Sequence, residues 1–148
     1  MKIAIAADHG GYSLKEMIIG FLSNYEGVEV LDLGTNSTES VDYPQFGFAC
    51  GEAVANGDAE RGIVVCGTGI GISIAANKVK GIRCALCTSI EMARLSREHN
   101  NANILALGGR TTKPEAALMI VDTWLKTEFA GGRHARRVAQ IDSYGDDK

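Results

Sequence analysis

Two rhythms of apolar and polar positions run along this chain. Short runs of apolar and β-branched residues at 2–7, 28–33, 62–66, 82–87 and 103–107 read as strands. Between them, longer stretches with helical spacing lie at 13–25, 44–56, 70–78, 89–98 and 114–129. Strands alternating with helices predict parallel β-α-β units, and right-handed crossovers then favour an open sheet. The expected fold is α/β: a five-stranded parallel, doubly wound, Rossmann-like sheet with helices on both faces. The 148 residues are too few for an eight-fold barrel and suit one domain with one sizeable core. From about Gly131 the chain restarts after a break, and Arg133 to Val138 predict a short final helix whose end, Asp146-Asp147-Lys148, should fray.

Composition narrows the function classes. With 45% hydrophobic and 22% charged residues, the chain has the make-up of an ordinary globular protein. Its net charge of −3, and the lack of a basic run before the C-terminal end, argue against nucleic-acid or membrane-surface partners. No apolar stretch approaches the roughly 18 residues a transmembrane helix needs. The opening Met1-Lys2-Ile3-Ala4-Ile5-Ala6-Ala7-Asp8 is too short and too soon interrupted for a signal peptide, and reads as a buried strand. Cys84 and Cys87 form a Cys-x-x-Cys, but inside a strand they point to opposite faces, so neither a disulfide nor a chelate is expected. No further Cys pair or His cluster completes a zinc site. Buried thiols in a reducing, cytoplasmic compartment are the expectation.

In an open parallel sheet, ligands bind beyond the carboxyl ends of the strands. There the chain gathers Asp8-His9-Gly10-Gly11, Asp42-Tyr43-Pro44, Cys66-Gly67-Thr68-Gly69-Ile70-Gly71 and Gly108-Gly109-Arg110. The segment from Gly67 to Gly71 joins a strand to a helix, so its backbone amides and the helix dipole can face an anion. Its G-x-G-x-G spacing fits neither a dinucleotide fingerprint nor a P-loop. A lone cysteine ending an apolar strand is more often a core residue. Cys66, however, precedes a helix N-terminus beside that glycine loop, a setting that favours the thiolate as base or nucleophile.

The other candidates are more ambiguous. Asp8 can cap the following helix and His9 can be a surface residue, although two glycines after them suit close approach of a ligand. His99 and Asn100 end the fourth helix, where a C-cap is the plain reading. Arg133 and Arg137 share a face of the final helix, either as a solvated basic tail or as a two-arginine phosphate clamp.

Together, Asp8-His9-Gly10-Gly11, Asp42-Tyr43-Pro44, the block from Cys66 to Lys78, Leu95-Ser96-Arg97-Glu98-His99-Asn100 and Gly131-Gly132-Arg133-His134 resemble ribose-5-phosphate isomerase type B. That family includes allose- and galactose-6-phosphate isomerase relatives, and the resemblance spans essentially the whole chain. It implies a five-stranded doubly wound fold, no metal or other cofactor, and dimers that in some members pair into tetramers. It further implies that Cys66 moves the proton between C1 and C2 through an enediolate, where some members use a glutamate in the glycine loop; here the loop offers Ile70 and Ile72. By the same resemblance His99 opens the furanose ring, with Asp8 and Thr68 assisting. His9, Arg133 and Arg137 hold the phosphate, Arg110 with them, while Tyr43 and Asn100 line the sugar site. Amides of Gly67, Gly69, Ile70 and Gly71 can stabilise the oxyanion. Ribose 5-phosphate and ribulose 5-phosphate are the expected pair; allose 6-phosphate is the alternative substrate.

The topology adds an expectation of its own. A helix after strand four runs back across the sheet, which puts His99 at the amino edge, opposite Cys66. One subunit can then hardly bring the two together, so a homodimer with shared active sites is expected. Two competing functions fit less well. A nucleotide-binding regulatory domain needs a ribose-binding acid after strand two, where Asp32 is expected inside the strand. A thiol redox protein needs Cys84 and Cys87 on one side.

Overall fold

The computed structural model describes residues 1–147. Five strands, β1 (Lys2–Ala7), β2 (Glu29–Asp32), β3 (Arg61–Cys66), β4 (Cys84–Leu86) and β5 (Ile104–Gly108), form one parallel sheet in the order β2-β1-β3-β5-β4. They alternate with α1 (Tyr12–Leu22), α2 (Tyr43–Ala55), α3 (Ile70–Asn77), α4 (Ile90–Asn100) and α5 (Pro114–Lys126). A further helix, α6 (Arg133–Ser143), follows the last crossover.

The two faces of the sheet carry separate cores. Ile3, Ile5, Ile63, Val65, Leu105 and Leu107 face α1, α4 and α5, with Ile18, Ile120 and Trp124 buried among them. Ala4, Ala6, Val64, Cys66, Ile104 and Ala106 face α2 and α3, against Cys50 and Ile72. The alternation of neighbours between faces is the two-residue period of a strand. Central strands buried on both faces explain the continuous apolar runs in the sequence. Smaller residues on the second face let α2 and α3 approach closely: a β-carbon at Gly47 would stand 2.7 Å from that of Ala75. Cys84 and Cys87 belong to opposite faces and all four cysteines are free.

Several element boundaries differ from expectation: α1 ends at Leu22 rather than at residue 25, and α5 at Lys126 rather than at 129. Asp32 is the last residue of β2 rather than an interior one, because its carboxylate accepts the Gly34 amide at 3.0 Å and turns the chain out of the strand. The same carboxylate takes the fully buried Lys15 ammonium at 2.9 and 3.0 Å, so it is already engaged where a nucleotide ribose would need it. At the other edge β4 is only three residues long. Asn103 accepts the Arg83 amide at 2.8 Å, and the Asn77 side chain bonds both the amide and the carbonyl of Cys84, occupying backbone groups on that edge. At the C-terminal end, where fraying is expected, Asp146 is tied to Ser143 by its amide and to Lys80 by an ion pair; Lys148 lies outside the described residues. Among the described residues no helix is long and apolar enough to cross a membrane.

The chain leaves β1 toward β2 and leaves β3 toward the opposite side of the sheet. The carboxyl ends of β1 and β3 are neighbours at this switch in direction, which is where open α/β sheets present a crevice.

Candidate active site

Beyond β1, the Asp8 amide reaches over to the Val65 carbonyl at 3.2 Å, and the Gly11 amide donates to both Asp8 O and Oδ1 at 3.1 Å. Asp8 is therefore buried and caps its own turn; the N-cap of α1 is Gly11. A β-carbon at Gly11 would lie 2.4 Å from the Val65 carbonyl oxygen, so the loop can cross β3 only with glycine there. His9 projects from the same turn, its Nδ1 accepting the Val41 amide at 3.1 Å. That acceptor role places the ring proton on Nε2.

Beyond β3, the buried Cys66 sulfur accepts the Gly69 amide at 3.2 Å. Gly69, at φ +80°, is the N-cap of α3, and the Ile70 amide turns to Thr68 Oγ1 at 3.2 Å. Two of the amides considered for an oxyanion thus face the loop's own side chains. The β5 exit is laced to this loop: Gly109 donates to the Cys66 carbonyl at 2.8 Å and Arg110 to that of Gly67 at 2.9 Å. The Arg110 guanidinium lies over Gly67 and Gly10, within 3.4 Å of where their β-carbons would be. Tyr43, the first residue of α2, covers Gly71 with its ring. One chain therefore gathers Asp8, His9, Tyr43, Cys66, Gly67, Thr68, Gly69, Ile70, Gly71 and Arg110 at the carboxyl edge of its sheet.

The remaining candidates lie at the amino edge. The Asn100 carbonyl accepts Nε of Arg83, the residue just before β4, at 3.0 Å. Asn101, at φ 47°, forms the left-handed C-cap of α4, so Asn100 keeps helical geometry. α6 docks beside this end of α4: Ala130 donates to the Glu98 carbonyl at 3.0 Å, and the ring of His134 stacks on that of His99. Arg133 and Arg137 stay exposed on α6, apart from the Cys66 crevice.

Charge and burial separate the thiols. Burial pushes the Cys50 thiol up to about 12, raises Cys84 well above the ordinary value with the neighbouring Cys50 and Cys87 adding to the effect, and raises Cys87. These three are core thiols. Among the described residues no three His, Cys, Asp or Glu side chains are grouped to hold a metal ion. Two sizeable grooves, of about 440 and 350 Å³, lie elsewhere, along residues 77–82 and between Phe21 and Met119. Convergent polar groups rather than volume mark the site.

Sequence reasoning did not find two features: the His134–His99 stack and the Lys15–Asp32 pair. Helical spacing puts His134 on a different face from Arg133 and Arg137 but cannot say what that face meets. A lysine in a helix gives no signal of burial.

The comparisons with known proteins agree with this architecture. The model of the Ribose/Galactose Isomerase family matches residues 3–141. Ribose-5-phosphate isomerase B of Escherichia coli is 50% identical over 140 residues, covering 95% of this chain and 93% of that one. The structure of Clostridium thermocellum ribose-5-phosphate isomerase B superposes with a TM-score of 0.96 at 61% identity, covering 99% of both chains. That of Mycoplasma genitalium ribose-5-phosphate isomerase B with bound ribulose-5-phosphate gives 0.93 at 43% identity, covering 99% of this chain and 97% of that one. With a family model spanning nearly its whole length and relatives this similar, the chain belongs to the Ribose/Galactose Isomerase family.

Proposed function

We propose that this chain is a cytoplasmic aldose-ketose isomerase that interconverts ribose 5-phosphate and ribulose 5-phosphate without a cofactor. The observation that carries the reading is Cys66 at the lip of the glycine loop, its sulfur facing the Gly69 amide in the switch-point crevice. The named activity of the relatives, and ribulose-5-phosphate in the Mycoplasma genitalium structure, supply the substrate.

The chemistry needs an open-chain aldehyde, a base near C2 and support for a developing oxyanion. Cys66 takes the C2 proton; the electron pair left behind forms the C1=C2 double bond, and O1 carries the charge. Returning the proton to C1, while the O2 proton passes to O1 and C2 becomes the carbonyl, gives the ketose. With the Gly69 and Ile70 amides turned to Cys66 and Thr68, the Gly67 and Gly71 amides and the Thr68 hydroxyl are the loop donors that support the oxyanion. His9 through Nε2–H, together with Arg110, holds the phosphate at a distance from the reacting carbons, and Tyr43 walls the sugar. Remote binding of that kind fixes orientation and is worth most when realised in the transition state.

Ring opening falls to His99, and the phosphate clamp is completed by Arg133 and Arg137. Because these residues and Asn100 sit at the far edge of their own sheet, they serve the crevice of a second copy. The functional unit is then a homodimer with shared sites, each chain acting as one isomerase unit with α6 as its C-terminal arm. Steady-state kinetics on a panel of aldose phosphates tests the reading: ribose 5-phosphate should give the highest kcat/KM, and Cys66→Ala should abolish turnover. A higher kcat/KM on allose 6-phosphate moves the assignment to the hexose branch; full activity in Cys66→Ala overturns the mechanism.

A further inference from the structure

The ring of His134 lies on the ring of His99 with centroids 4.2 Å apart and planes inclined by 13°. Several features build this contact. Gly131 and Gly132, at φ +68° and +57°, bend the chain sharply just after Ala130 is tied to the end of α4. The bend brings the first turn of α6 back onto α4, and it is position 134 that meets it. Arg97, buried in α4, bonds the Thr127 carbonyl at 3.2 Å and the Ala102 carbonyl at 2.8 Å, fixing both segments that flank the stack. The first turn of α6 therefore has two tasks: Arg133 and Arg137 project outward, while His134 covers an imidazole.

We propose that His134 is a positioning residue that acts through His99, its stacked ring holding the His99 imidazole in the orientation ring opening requires. The proposal rests on the reading of His99 as the ring-opening group. A histidine on the last turn of an exposed helix end has two free torsions, and a proton donor that wanders loses most of its effect. A parallel aromatic face removes that freedom without occupying either ring nitrogen. The charged and titratable groups around the pair are Glu98 of α4, itself bonded to Arg94, and Arg133 and Arg137 of α6. Partial desolvation, then His99, then the two arginines hold His134 below the ordinary imidazole value, against the pull of Glu98. What His134 presents to His99 is a ring face, so the proposal rests on its shape rather than its charge.

Two assays on the full-length protein separate this role from general damage. Isomerisation of ribose 5-phosphate requires ring opening; uptake of solvent deuterium at C1 of ribulose 5-phosphate requires only proton transfer at Cys66. His134→Ala should slow the first by about tenfold and leave the second within about twofold, because only the orientation of His99 is lost. His134→Phe restores an aromatic face and should recover most of the isomerisation. The proposal is overturned if His134→Ala slows neither assay, if it slows both equally, or if His134→Phe is as slow as His134→Ala. A wild-type protein that neither isomerises nor exchanges overturns the proposed function instead.

Discussion

The Gly69 amide points at the Cys66 sulfur because residue 69 turns at φ +80°, a conformation that also tucks its α-carbon between Leu86 and Leu107. A β-carbon there would lie 2.6 Å from Leu86 Cδ1 and 2.8 Å from the Leu107 carbonyl carbon. Sulfur, turn and sheet are thus coupled through one residue that has no side chain.

Substituting Gly69→Ala should therefore damage activity far more than Gly71→Ala. At 69 the new methyl group meets backbone and an unfavourable left-handed φ together, so the loop must move and the amide leaves the sulfur. A displacement of about 1 Å at a reacting group costs on the order of a hundredfold in rate. At 71 the obstacle is the Tyr43 ring, which is two-fifths exposed and can swing away. Gly71→Ala should raise KM with a smaller change in kcat, and equal losses of kcat in the two variants would contradict this account.

Alkylation should single out Cys66. The thiolate is the nucleophile, and burial holds Cys50, Cys84 and Cys87 in the thiol form at neutral pH. Intact-mass measurement after iodoacetamide at pH 7 should show one early adduct that maps to Cys66, appears together with loss of isomerase activity, and is slowed by ribose 5-phosphate. Early labelling of Cys84 or Cys87 would show that the edge strand opens more readily than its hydrogen bonds imply.

Much of the fold is legible in the sequence because strand and helix periods differ and central strands carry unbroken apolar runs. All five strands lie where that pattern puts them, and the separation of Cys84 from Cys87 follows from the two-residue period. The strand order is not legible, since right-handed crossovers permit more than one arrangement of five parallel strands. Boundaries at β2 and β4 were set by side chains bonding the backbone, Asp32 to Gly34 and Asn77 to Cys84, which leave no hydropathy signal. The carboxyl-edge residues around Cys66 are readable because the position of strand ends is readable. The His99–His134 contact is not, because it depends on the angle at which α6 returns to α4.

A pair remote from the site contributes to both limbs of the stability profile. Tyr25 donates to Asp122, which also pairs with Lys126 at 2.9 Å. Burial, then the Asp122 hydrogen bond and charge, raise Tyr25 above its ordinary 10.0, so its contribution is complete below pH 10 and is lost as pH rises through the folded value. The bonds from Tyr25 and Lys126 hold Asp122 below 3.8, so its contribution is present above that pH and is lost as pH falls through the folded value. Urea midpoints measured across pH should show Tyr25→Phe flattening the alkaline limb and weakening the acid one. Wild-type and variant curves that run parallel over the whole range would refute the coupling.

The separation of His99 from Cys66 within one chain makes a quantitative prediction about mixed assemblies. Suppose each site takes Cys66 from one subunit and His99 from the other, across a two-fold axis. A heterodimer of Cys66→Ala and His99→Ala subunits then has one site with both residues intact and one with neither. Neither homodimer has an intact site. Unfolding the two inactive variants together in equal amounts and refolding them should place half the dimers in the mixed form, restoring about a quarter of wild-type activity. Refolding each variant alone should restore none. If the mixture stays as inactive as its components while native electrophoresis shows mixed dimers, each chain must bring its own His99 to its own Cys66, and the amino-edge position of His99 would have no part in ring opening.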